Sequence, residues 1–176
     1  GFSVKSYQRW IDFRNQRKGK KKEFLKLHVS IETSECAVMS VRVTDGFRHE
    51  SPQFEKLIEP LDVVDTLAGD SAYLSRKNCT LVEEKGGTPF FKPKCNVRNR
   101  SHGSFAWRKI LKAYSKDKEA WLKRYHRRSL VESVFSTIKR RLGHWLFSVK
   151  KTLQRKELLM KIIAYNLLKV VELRAK

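Results

Sequence analysis

Cysteine is scarce in this chain. Cys36, Cys79 and Cys95 are odd in number and lack C-x-x-C spacing, which excludes a disulfide framework and a zinc knuckle. A reducing compartment is expected. Long apolar runs are missing too: the longest, Leu158 to Val171, is broken by Lys161 and Lys169 and cannot cross a bilayer. No signal-peptide core opens the chain, so a soluble, cytoplasmic protein without a membrane partner is expected. Internal repeats are absent, and the one biased tract is the basic run Arg17 to Lys22. His28, His49, His102, His126 and His144 have no paired spacing and are expected to bind no metal.

Acidic residues are the most telling shortage. Against 18 Asp and Glu stand 39 Lys and Arg, giving a net charge of +21 and a pI near 10.2. Solubility does not require so much positive charge, so a polyanionic partner is expected. Nucleic acid is favoured over an anionic membrane because the apolar residues are spread through core-like periodic segments, not gathered on one basic amphipathic helix. A length of 176 residues fits one domain that folds without disulfides.

Strands and helices alternate along the first half. After an opening segment, Gly1 to Trp10, residues 14–22 read as a basic exposed loop. Period-two alternation over Phe24 to Ile31 and over Ala37 to Val43 predicts a β-hairpin. Ser51 is expected to cap a short helix over Gln53 to Ile58, with Pro52 at its first position. Val63 to Ala68 is a strand candidate that includes Asp65, and Asp70 follows at its C-terminal end, before a helical stretch that Gly86 and Gly87 stop near Lys85. Thr88 to Lys92 is β-like, and residues 93–104 read as a mobile cationic loop suited to phosphate contact. Helices are expected over Phe105 to Ser115, Lys118 to Leu142 and Gln154 to Leu173.

One spacing stands out on the second of these helices. Tyr125, Arg128, Glu132 and Lys139 fall at roughly 0°, 300°, 340° and 320° on a helical wheel, within an arc of about 60°. Val131, Val134, Phe135, Ile138 and Leu142 form an adjoining apolar arc. A carboxylate on a helix and another at a strand end suit a divalent metal that keeps open positions for phosphate oxygens. Such metal pairs usually take three carboxylates; Asp70 and Glu132 are two, and no third is evident. Ordinary roles stay open for both: Glu132 as the partner of Arg128 four residues earlier, Asp70 as a helix N-cap. Tyr125 could simply pack at the margin of the apolar arc.

The pattern Tyr125-x2-Arg128-x3-Glu132-x6-Lys139 resembles the signature of one subclass of DDE-type insertion-sequence transposases. Asp70, within Leu67-Ala68-Gly69-Asp70-Ser71-Ala72-Tyr73, is similar to that family's second catalytic Asp, and Glu132 to its catalytic Glu. His49-Glu50-Ser51 and Phe90 to Asn96 also look like family segments, so the resemblance covers most of the chain from Phe24 onward. It implies one α/β domain over residues 1–176, an RNase H-like mixed sheet flanked by helices. It further implies Mg²⁺ or Mn²⁺ at Asp70 and Glu132, with Tyr125, Arg128 and Lys139 holding DNA phosphates. Double-stranded DNA, both transposon ends and target, would be the partner, within a homo-oligomeric DNA complex at the nucleoid. The family's first catalytic Asp lies upstream of the hairpin, and Gly1-Phe2-Ser3-Val4 looks like the residues that follow it. An N-terminally truncated domain lacking part or all of its first strand is therefore expected, impaired in cleavage. Asp12 could substitute only if that strand were placed differently. A non-catalytic basic DNA-binding protein and an RNase H-like nuclease remain the alternatives.

Overall fold

The computed structural model describes residues 2–4, 14, 24–94, 97 and 104–175. Asp12, the basic run Arg17 to Lys22, Cys95 and His102 lie outside them. In chain order the elements are β1 (Phe2–Val4), β2 (Phe24–Ile31), β3 (Val38–Asp45), α1 (Phe54–Ile58), β4 (Thr66–Gly69), α2 (Arg76–Glu84), β5 (Thr88–Phe91), α3 (Phe105–Lys116), α4 (Lys118–Tyr125), α5 (Ser129–Leu142), β6 (Trp145–Leu146) and α6 (Lys151–Arg174). The fold is mixed α/β. It divides into two compact units, residues 1–48 with 133–176 and residues 49–132.

In the first unit, β2 and β3 form the expected antiparallel hairpin, with Val29 opposite Val41 and Lys26 opposite Thr44. β1 lies antiparallel to β2 and parallel to β6, giving the strand order β3-β2-β1-β6. Alternation places Leu25 and Leu27 in the core with Phe2, Val38, Val134, Ile138 and Leu146. α6 contributes Leu158, Ile162 and Tyr165 to the same core, at the spacing of one helical face. The same helix supplies polar anchors. The Asn166 amide accepts from the Val38 N–H at 3.0 Å and donates to the Val38 carbonyl at 2.9 Å, occupying backbone groups that an edge strand would otherwise leave open. Tyr165 donates its hydroxyl to the Cys36 carbonyl at 3.0 Å.

The second unit sets β4 parallel to β5, Gly69 opposite Phe91, around a separate core. Phe54, Val82, Phe90, Phe91, Ile110 and Trp121 fill it, with Phe54 edge-on to Phe91 at a centroid distance of 5.4 Å. Burial pushes the Cys79 thiol up to about 12, so Cys79 packs as an inert apolar residue. Helix starts are capped by side chains: Ser75 accepts from Asn78 N–H, Ser104 from Trp107 N–H and Asp117 from Ala120 N–H. Gly86, at φ +79°, ends α2 where predicted.

Four local expectations need correction. The described strands form two sheets, one in each unit, because β4 and β5 pair only with each other. The helix expected from Lys118 to Leu142 is interrupted by a 3₁₀ turn over His126–Arg128. The strand expected from Val63 starts at Thr66, leaving Asp65 before it. Ser51 does not cap; its hydroxyl accepts from the Asn78 side chain instead. Two strands escaped the sequence because three and two residues are too short to show a period: β1 and β6.

The hairpin turn is closed by Glu32, whose carboxylate accepts from the amides of Ser34 and Glu35 and from the Ser34 hydroxyl. The Glu35 amide first, then the Ser34 donors, hold its pKa below the usual value. Since the folded-state value is the depressed one, this contribution is fully present above pH 4.5 and is lost as pH falls below that and through the lower folded-state value. An NMR titration should therefore place the Glu32 midpoint below 4.5, and Ser34→Ala should move it upward. In the core, Ile138→Ala should cost about 3 kcal/mol in urea denaturation, since Ile138 is fully buried. Val63→Ala, at a position 83% exposed, should change stability by less than about 0.5 kcal/mol.

Candidate functional site

Asp70 follows directly on β4, whose last residue is Gly69. A Cβ at Gly69 would lie 2.7 Å from the Phe91 ring, so glycine lets β4 pack closely on β5. The chain then turns into a 3₁₀ segment over Ser71–Tyr73, and Asp70 is its N-cap. Asp70 Oδ1 accepts from the Ala72 N–H at 3.2 Å and the Ser71 hydroxyl at 3.1 Å. The capping role thus occupies one oxygen. The other, Oδ2, faces the Arg128 guanidinium, with Nη1 at 3.6 Å.

That same Nη1 lies 3.1 Å from Glu132 Oε1. The expected pair of Arg128 and Glu132 is formed, and Arg128 joins to it a carboxylate 58 positions earlier in the chain. Both separations start from one nitrogen, so the two carboxylate oxygens lie within about 7 Å of each other. Asp70 and Glu132 side chains are 50% and 64% exposed, against 31% for Arg128. These are open carboxylates with a cation between them. Ion pairs this exposed contribute roughly 0–1 kcal/mol each and separate easily.

Tyr125 is mainly a core residue. Its ring is buried, stacked on Trp121 at 5.5 Å and 18°, with the Arg128 guanidinium 5.7 Å from its centroid. The aromatic face supports the cation that bridges the acids. Lys139 belongs to the other unit, where its ammonium lies 5.7 Å from the Phe2 ring. Tyr73 stands beside Asp70, donating its backbone N–H to the Asp70 carbonyl at 2.9 Å. Burial first, then the charges of Glu50 and Asp70, push its phenol well above its usual pKa, so it stays neutral.

Among the described residues no group of three or more His, Cys, Asp or Glu side chains could hold a metal ion. Asp70 and Glu132 nevertheless fit a hard divalent cation in chemistry. They are exposed oxygen donors from two elements, and Mg²⁺ often takes only one or two protein carboxylates. Sequence spacing pointed to the pair of Arg128 and Glu132 but not to the contact of Asp70 with Arg128, which depends on the fold of the second unit.

Residues 2–167 match a family described as the transposase DDE domain. The chain is also 30% identical, over 140 residues, to a probable transposase for insertion sequence element ISA1214 from Archaeoglobus fulgidus. That alignment covers 77% of this chain and 41% of the relative, so the chain spans about two fifths of the relative's length. No solved structure matches.

The two uses of the Asp70 carboxylate are separable by substitution. Asp70→Ala should cost about 1 kcal/mol through the lost cap, whereas Asp70→Asn, which keeps an acceptor for the Ala72 N–H, should cost only a few tenths. Chemical denaturation of the two variants checks this difference.

Proposed function

Because the chain belongs to the DDE transposase family, we propose that Asp70 and Glu132 are two of the carboxylates that carry phosphodiester hydrolysis and strand transfer at insertion-sequence ends. The observation that carries this reading is the convergence of the two acids, from a strand end and a helix, on one guanidinium. Mg²⁺ or Mn²⁺ held by these oxygens would supply Lewis-acid activation of the attacking oxygen and charge stabilisation at the leaving oxygen. The protein's own part is to hold the acids and the DNA. Asp70 is oriented by its cap hydrogen bonds, Glu132 by its helix. Arg128 and Lys139 grip phosphates, Arg as a planar fork and Lys as a point charge, and Tyr125 completes the DNA-binding set as the platform beneath Arg128.

This assignment treats residues 1–176 as one RNase H-like transposase domain acting on double-stranded transposon ends and target. A homo-oligomer in a DNA complex and nucleoid association belong to the same proposal. The family's first Asp, upstream of the hairpin, would complete the carboxylate set. DNA binding is expected to need no metal, whereas nicking is expected to need Mg²⁺ and the full carboxylate set. Strand-transfer products would exclude a plain nuclease, and loss of chemistry in the variants below would exclude a non-catalytic DNA binder.

The decisive measurement is Mn²⁺ binding followed by electron paramagnetic resonance. Asp70→Asn and Glu132→Gln should each weaken it at least ten-fold, an effect of about 1.4 kcal/mol, and in a polypeptide that nicks DNA each should abolish nicking while DNA binding persists. Unchanged Mn²⁺ binding in both variants would sink the assignment.

A further inference from the structure

The turn that follows α5 is held by an unusual number of side chains from one helix. Gly143, at φ +79°, turns the chain, and the Lys161 ammonium donates to the carbonyls of Leu142, Gly143 and Trp145 at 2.8, 2.9 and 2.9 Å. The Glu157 carboxylate accepts from the amides of Phe147 and Ser148. Gln154, buried, donates to the carbonyls of Ser148 and Val149. Trp145 and Leu146 also pair with β1, and Leu146 is fully buried. The backbone from residue 142 to 149 is therefore fixed at nearly every step.

What this fixed turn presents outward is apolar. Trp145 is 39% exposed, Phe147 61%, Val149 78% and the nearby Leu153 47%. A connection that only reverses direction is normally polar, and burying such side chains would be favourable. Along the sequence that carries the turn, charge has one sign. From Ser133 to Lys156 the sequence contains Lys139, Arg140, Arg141, Lys150, Lys151, Arg155 and Lys156 and no Asp or Glu. The next acid, Glu157, is spent on backbone amides. Arg141 and Arg155 are paired with Glu172 and Asp45, and aromatic faces set beside the remaining cations match the chemistry of a nucleic-acid strand, whose bases stack while its phosphates pair.

We infer that the turn Gly143–Val149 is a stacking platform for unpaired bases of DNA, with Trp145 and Phe147 as the faces and Lys150 and Lys151 as phosphate contacts. This site is separate in sequence from the Asp70 and Glu132 carboxylates. It rests on the DNA-binding part of the proposed function and not on metal chemistry.

The test uses residues 1–176 with a 12-nucleotide single strand carrying one 2-aminopurine, and a hairpin-closed duplex of the same sequence. The native chain should quench 2-aminopurine on the single strand. Phe147→Ala should weaken single-strand binding about ten-fold and reduce the quench, without changing the slope of log affinity against log salt. Phe147→Trp should restore both. The double variant Lys150→Gln, Lys151→Gln should instead lower the single-strand salt slope by about 1.4. Circular dichroism of Phe147→Ala should match the native chain, as its side chain is exposed. Equal loss on the closed duplex and the single strand, or none on either, would overturn the platform. So would a native dimer in sedimentation that Phe147→Ala dissolves, because the face would then be a protein contact. Glu132→Gln separates the two proposals: native single-strand binding with lost Mn²⁺ binding upholds both, and unchanged Mn²⁺ binding removes only the metal site.

Discussion

Two carboxylates held close together repel unless a cation lies between them, and in the second unit that cation is Arg128. The arrangement needs the 3₁₀ turn at His126–Arg128, which departs from a straight helix, and the aromatic floor of Tyr125 and Trp121. It also needs Asp70 capped through one oxygen only. A site built this way stays open to solvent and to exchange of one cation for another.

The first unit meets a different demand with similar economy. A short strand such as β6 and an edge such as β3 leave backbone groups unpaired, and α6 satisfies them from its inner face and its flank. Asn166 serves Val38, Tyr165 serves Cys36, and Lys161, Glu157 and Gln154 serve the turn after α5. Burial costs the Lys161 ammonium some of its basicity, with Glu157 offsetting part of that loss. The apolar positions Leu158 and Ile162 set the helix against the sheet, and the polar ones then specify the register of what lies beneath it.

Much of this was legible in residues. The hairpin, the strand before Asp70, the stop at Gly86 and the long final helix follow from period and punctuation, because those signals are local. Glu132 and Arg128 were legible as a pair for the same reason: four residues on a helix make neighbours. Tyr125 was harder, since a wheel gives direction and not depth; stacking on Trp121 makes it a floor. β1 and β6 were hidden by their shortness, and the division of the strands into two sheets by its dependence on distant pairing.

By itself the sequence determined a strongly basic α/β chain of the DDE transposase family and the local pairing of Arg128 with Glu132. Those properties reside in composition and in separations of a few residues, which the helix and strand repeats convert directly into geometry. Only the tertiary structure decided that Asp70 meets the guanidinium of Arg128, and that the turn bearing Trp145 and Phe147 is pinned from below by α6. Both involve partners far apart in the chain. Their meeting is set by packing of separate cores, where no local periodicity reaches.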